Sequence, residues 1–365
     1  MQKITELFEL SRGGGQHNVR AMEGLRGFAV VLVFLTHYSA LTAPWVTHGS
    51  PLAAVMQSVH AIGNAGVDLF FVLSGYLIYG SLLGRGQPYL RFLQRRVVRI
   101  YPAFTVVFLL YAFLALWYPG SGKLPAGGGA AASYLLKNYL LLPGLFPIEP
   151  LVTVAWSLSY EMFFYLLLPP LVLACGLRPP PWRIAFFLLL AAAYLAWCNA
   201  FGGHWRMLMF LAGTVLFDVI HHTALPAPPA ALAWCAASAG LALAPSALPG
   251  PARMLALLAG FFLLCHACFN GQRHWLSGAF SWTPLRWLGN MSYSYYLLHG
   301  LAMKIAFMAL AMAWPAATHE ACFIAGLLFP VFALTLLPAS MLFLLVERPM
   351  SLVPASGRRR RRPHA

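Results

Sequence analysis

Between residues 22 and 346 the chain returns again and again to apolar runs near or above the roughly 20 residues that cross a hydrocarbon core as a helix. No water reaches backbone N–H and C=O groups inside a bilayer. Such runs must therefore satisfy their own hydrogen bonds, as helices or as a closed barrel. A barrel would need short strands of alternating polarity, whereas these runs are continuous and rich in Leu, Ala and Phe. The reading is an all-α, polytopic transmembrane protein of about ten spanning helices. They are expected near 22–42, 63–83, 97–118, 152–174, 184–201, 205–221, 230–245, 252–270, 286–313 and 320–346. Pro119, Pro179 to Pro181, Pro226 to Pro229, Pro245 and Pro284 mark the joints. The segment 123–150 reads as a loop with a short surface helix around Ser133 to Leu142.

Charge supports this reading and orients it. Only 9% of residues are charged and 60% are hydrophobic, which excludes a soluble domain of 365 residues. The net charge of +15 does not point to nucleic acid, because the basic residues sit in short segments between apolar runs. Ten spans starting inside would place nineteen of the twenty-four Lys and Arg residues on one side. Both termini are therefore expected to be cytoplasmic, with residues 1–350 forming the membrane-embedded domain. Residues 351–365, which include Arg358 to Arg362, are expected to form a basic tail without fixed structure that touches anionic lipid headgroups. The first apolar run follows a polar start and has no small-residue cleavage site, so it reads as a retained signal anchor. The six cysteines mostly lie in or beside apolar runs, as small core hydrophobes do. Cys265, His266 and Cys268 have no second ligand pair nearby, and no metal site is expected.

A charge at the centre of a span costs roughly 2.5–3.5 kcal/mol on insertion scales, so the few that occur ask for a reason. "EGLRGFAVVLVFLTHY" carries Arg26 and His37 eleven residues apart, on one helix face and roughly 16 Å apart along the axis. Glu23 shares that face. The plain reading is a snorkelling arginine and a packed histidine. The sharper one is an anion-binding group below a base. "GNAGVDLFFVLSGYLI" brings Asp68 to what is expected to be the depth of His37, where a carboxylate would hold the imidazole in one tautomer. It also carries Ser74. In "RFLQRRVVRIYPAF", Arg96 and Arg99 share a face by i,i+3 spacing and could clamp phosphate with Arg26. "WSLSYEMFFYLLLP" places Ser157 and Glu161 on one face beside Trp156 and Tyr160. In "LGNMSYSYYLLH", Ser292, Tyr295, Tyr296 and His299 form a stripe, and Asp218 is a further acid within a span. Intramembrane acids and histidines also build proton-coupled transporters, which stay open as the alternative. The lack of an internal repeat counts against that class.

These five motifs, in this order and spacing, resemble the acyltransferase type 3 family, integral membrane O-acyltransferases of which many act on bacterial surface polysaccharides. The resemblance runs from about Arg20 to the closing "LLVERPMS", with little contributed by 184–270. It implies an acyl-CoA donor, usually acetyl-CoA, reached from the cytoplasm, with no permanently bound cofactor. A succinyl or longer acyl group also fits. It implies a carbohydrate or glycoconjugate hydroxyl as acceptor on the extracytoplasmic side of a bacterial inner membrane. Carried over, Arg26, Arg96 and Arg99 would bind the donor. His37 would act as the base or as an acyl carrier, oriented by Asp68 or Glu161, with His299 as a further catalytic residue. Ser74, Trp156, Ser157, Tyr160 and Tyr295 would then be substrate-binding.

Overall fold

A computed structural model of the chain describes residues 6–10, 17–84, 88–117, 123–175, 179–271, 273–315 and 321–352. The expected tail beyond Leu352 and several of the expected flanking arginines, Arg12, Arg85 and Arg178 among them, lie outside these residues, while residues 351 and 352 belong to the last helical segment. Helix α1 runs His17–Thr42, α2 Pro51–Leu83 and α3 Tyr89–Trp117. The short α4, Gly128–Tyr139, falls within the segment expected to hold a surface helix. Then follow α5, Ala155–Cys175; α6, Pro180–Phe201; α7, Met207–His222; α8, Ala230–Leu243; and α9, Gly250–Phe269. Two short helices, α10 at Trp275–Phe280 and α11 at Thr283–Asn290, precede α12, Ser292–Ala313. Last comes α13, Ala321–Leu342, whose winding continues as a π-helix over Phe343–Leu352.

Among the described residues, eight helices are long and apolar enough to cross a membrane. Helices α7 and α8, with 16 and 14 residues, are shorter than that. Their faces fit a lipid surround. Leu109, Phe113, Leu116 and Trp117 of α3 and Leu188, Leu189, Trp197 and Phe201 of α6 are exposed. Only 11% of the apolar window of α6 is covered by protein. Two boundaries differ from expectation. α2 begins at Pro51 rather than near 63, with Ser50 Oγ accepting from Ala53 N at 3.1 Å as its N-cap. The span expected at 286–313 is broken at Met291, where α11 gives way to α12.

Helix α1 is held at the centre by close backbone contact. A Cβ on Gly289 of α11 would lie 1.7 Å from Glu23 O, and one on Gly27 would lie 2.0 Å from Leu285 O. Small residues let helices approach this closely. Gly289→Ala should therefore force α1 and α11 apart. We expect size-exclusion profiles in detergent to lose most of the monodisperse peak, while Gly300→Ala, whose Cβ would meet nothing within 4 Å, keeps it.

Two more contacts set the depths. Gly63 of α2 abuts Leu32 O and Thr36 N, and Gly66 abuts Ala29 O, so α1 and α2 are antiparallel. His37 then lies level with His60, and Arg26 near Phe71. Gly75 abuts Phe210 O and Gly213 abuts Val72 O, so α7 packs closely on the second half of α2, and the pairs Asp68–Arg206 and Tyr79–Asp218 show that the two run parallel. Helix α7 is short because it begins halfway along α2, and this start carries Arg206 to the level of Asp68.

Candidate active site

A cavity of about 130 Å³ lies between α1, α2, α3, α5 and α12. Arg26, Arg96 and Arg99 all line it, together with Ser74, Ser157, Glu161, Ser292 and Tyr296. Residues that the sequence placed on five separate helices are thus brought to one space. Each guanidinium is steered by a neighbour. Arg26 donates from Nε and Nη2 to Ser292 Oγ, at 3.2 and 2.9 Å. Arg96 donates from Nη2 to Ser81 Oγ at 2.6 Å and lies over the rings of Phe92 and Tyr165. Its buried Nε has no hydrogen-bond partner. Arg99 donates from Nη1 to Glu347 Oε1 at 2.6 Å. Glu161 Oε1 accepts from Ser74 Oγ at 3.3 Å and from the Tyr165 hydroxyl. Three cations meeting one lining carboxylate make the space favourable for an anion, and guanidinium groups bind phosphate oxygens in pairs.

Glu347 is fully buried. Its Oε2 also accepts from Ser294 N at 3.1 Å and Ser294 Oγ at 2.6 Å. It therefore ties the π-helical end of the chain to the start of α12 and fixes Arg99 between them. Sequence reasoning missed it because the last span was expected to stop at 346, which makes an acid at 347 read as a flank. The available signal was an acid adjoining an apolar run in a chain with only nine acids.

The histidines form a pair beyond Tyr296. His37 Nδ1 lies 2.9 Å from Val33 O and 3.5 Å from His299 Nε2. The two rings are 4.8 Å apart and nearly perpendicular. His299 is fully buried, with its Nδ1 3.0 Å from Tyr295 O and 2.9 Å from Tyr296 O. A carbonyl only accepts, so both Nδ1 atoms carry hydrogen. That leaves His299 Nε2 as an acceptor facing His37, and His37 Nε2 with a free lone pair.

The expectation that Asp68 or Glu161 orients His37 is corrected here. The backbone of Val33 and the imidazole of His299 do so. The register of α1 on α2 puts Asp68 nearer the level of Arg26 than that of His37. Asp68 faces Arg206, with Oδ1 3.6 Å from Nε. Tyr295 is not at the cavity either: its hydroxyl is 2.8 Å from Thr335 Oγ1 on α13, and its ring stacks on His299. Trp156 lies under the Arg206 guanidinium, and the Tyr160 hydroxyl donates to Gly144 O at 2.8 Å. Both brace the chain around the start of α5. Ser157 Oγ is 2.7 Å from the Tyr296 hydroxyl on the cavity wall. Asp218 belongs to a separate buried network with Arg183, Tyr79 and His222. Cys265 and Cys268 are buried in the packing of α9.

The comparisons with known proteins agree with these features. A family model described as an acyltransferase domain matches residues 19–345. The acyltransferase MdmB of Streptomyces mycarofaciens is 30% identical over 154 residues, 41% of this chain and 38% of that protein. The O-acetyltransferase OatA of Staphylococcus aureus is 33% identical over 162 residues, 40% of this chain and 24% of that protein. An uncharacterised protein of Haemophilus influenzae is 31% identical over 146 residues, 37% of this chain and 60% of that protein. The chain thus matches under two thirds of the length of each of these relatives, and no solved structure is significantly similar to it. The family match nonetheless covers almost the whole helical bundle, and the chain belongs to the acyltransferase type 3 family.

Proposed function

We propose that this chain is a membrane O-acyltransferase that moves an acyl group, acetyl by preference, from acyl-CoA to a hydroxyl. The observation that carries the reading is the convergence of Arg26, Arg96 and Arg99 on one cavity, whose wall residue Tyr296 lies against His299, the neighbour of His37. The arginine-bearing end faces the cytoplasm, in keeping with the bias of basic residues to that side. The membrane is then a bacterial plasma membrane.

The donor's phosphates bind at Arg96 and Arg99, and its pantetheine arm runs past Arg26 towards His37. Arg26 and His37 are roughly 16 Å apart along α1, a span such an arm covers. His37 Nε2 takes the proton of the acceptor hydroxyl while that oxygen attacks the thioester carbonyl. A C–O bond forms, and the C–S bond breaks as the tetrahedral adduct collapses. The departing CoA thiolate takes the proton from His37. Val33 O accepts from His37 Nδ1–H throughout, and the lone pair of His299 Nε2 stands 3.5 Å from that nitrogen, which together favour the imidazolium formed in between. The acceptor is a carbohydrate or glycoconjugate hydroxyl, approached from the extracytoplasmic end.

The test is donor binding to purified protein. Acetyl-CoA should bind at least about tenfold more tightly than acetyl-pantetheine, equivalent to roughly 1.4 kcal/mol, which is the scale of one charged hydrogen bond. High salt should narrow the gap. Arg96→Ala should remove most of it. Equal affinities in the wild type would reduce the three arginines to topology anchors.

A further inference from the structure

A second cavity, of about 340 Å³, lies between α2, α7, α8 and α9 at the end of the bundle away from Arg96 and Arg99. Five of its lining side chains are polar: His60, Asn64, Asp68, Arg206 and Arg253. We propose that this cavity is the acceptor site, and that it takes a polyhydroxylated compound carrying an anionic group. The proposal rests on the acyltransferase reading and adds to it the place and chemical class of the acceptor.

Asp68 carries the argument. It is 97% buried, yet its Oδ1 has no hydrogen-bond partner. The Arg206 Nε that faces it stands 3.6 Å away, beyond hydrogen-bond range. The buried Nη1 of Arg206 is also without a partner. A buried polar atom left this way has lost its water without gaining a partner, so the pair is built to engage a third group. An ionised carboxylate can only accept, which selects hydroxyl donors. The guanidinium can only donate, which selects anionic or carbonyl oxygens. Arg253 adds a second cation, fixed by its Nη1 bonds to Ala244 O and Ser246 O at 3.1 and 3.4 Å. Two arginines against one aspartate leave the cavity net positive, hence the preference for an anion.

The depth of the cavity supports the same conclusion. The chain before α7 reaches mid-bundle as irregular backbone, tolerated within a membrane only where protein buries it or a water-filled space adjoins it. At the mouth, His60 Nδ1 is 3.0 Å from Thr36 O of α1, one residue before His37. The cavity therefore spans from the level of Asp68 and Arg206 to that of the base. The donor cavity is one helix away: Val67 lines it, while the next residue, Asp68, lines the acceptor side.

Glucose 1-phosphate is a suitable probe. Ala244→Cys places a thiol on the cavity wall, and its alkylation by N-ethylmaleimide, less that of the parent chain, reports access. Glucose 1-phosphate at ten times its Kd should slow that reaction roughly tenfold. Equal concentrations of glucose or inorganic phosphate should slow it much less. Asp68→Asn and Arg206→Gln should each remove the protection. Arg253→Gln serves if either elutes as aggregate, and Ala61→Cys serves as a second reporter. Absent protection with both reporters, protection that survives the substitutions, or equal protection by inorganic phosphate would each overturn the proposal. Acetyl-CoA binding by the same wild-type samples is read separately. Its loss would count against the donor reading alone, leaving the protection result to stand or fall by itself.

Discussion

His37→Gln should lower acetyl transfer by the purified protein about 10²- to 10⁴-fold, the range for losing a general base, with acetyl-CoA affinity close to wild type. The argument is local. The Nδ1–H of His37 is directed at Val33 O and His299 Nε2, so the basic atom is Nε2. Glutamine keeps the volume and a hydrogen-bonding end but takes no proton at neutral pH. Arg26 lies three helical turns away on α1, and Arg26, Arg96 and Arg99 are held by Ser292, Ser81 and Glu347 respectively. His299→Gln should cost less, because its amide oxygen can still accept from His37 Nδ1–H. Transfer rates and acetyl-CoA binding in the same preparations check this. Near-normal turnover by a monodisperse His37→Gln would remove the histidine from the chemistry.

Glu347→Ala should destabilise the protein by about 3–5 kcal/mol, the usual penalty for leaving one member of a buried ion pair alone. The residue is fully buried, and it holds Arg99 on one oxygen and Ser294 on the other. A large drop in the thermal midpoint should follow, together with weak acetyl-CoA binding, because Arg99 loses its fixed position. The double variant Arg99→Met and Glu347→Met separates the two effects. Replacing both charges by apolar side chains of similar size is often neutral or stabilising, so its midpoint should recover. Its acetyl-CoA affinity should stay low, because the guanidinium is gone. Recovery of both would show that Arg99 serves packing only. No change in midpoint for Glu347→Ala would show that the ion pair contributes nothing.

What the sequence made legible followed from single helices. The face shared by Arg26 and His37 and the i,i+3 pair Arg96 and Arg99 depend only on helical periodicity, and all three arginines line the same cavity. Depth between helices was not legible. It is set by backbone contacts such as Gly63 on Leu32 O and Gly66 on Ala29 O, and these put Asp68 well below His37. The stripe on α12 shows a related limit. A helix surrounded by neighbours has several buried faces, so Ser292 and Tyr296 reach the cavity while Tyr295 reaches Thr335 on α13. Glu347 lay one residue beyond an expected boundary, and the π-helical winding that turns it inward has no simple sequence signal.

The single-helix wall between the two cavities has an electrical consequence. If water fills both cavities, each carries the solvent potential inward, and the transmembrane voltage then falls mainly across the layer of α2 at Val67 and Asp68, which line the one and the other. A unit charge crossing that layer would do about 2.3 kcal/mol of work per 100 mV. In the proposed reaction no net charge crosses. The phosphates stay with Arg96 and Arg99, and the hydroxyl proton that His37 hands on to the CoA sulfur is matched by the electron pair that sulfur gains when the C–S bond breaks. The overall transfer proposed is thus electrically silent, and its equilibrium does not depend on whether the membrane is energised.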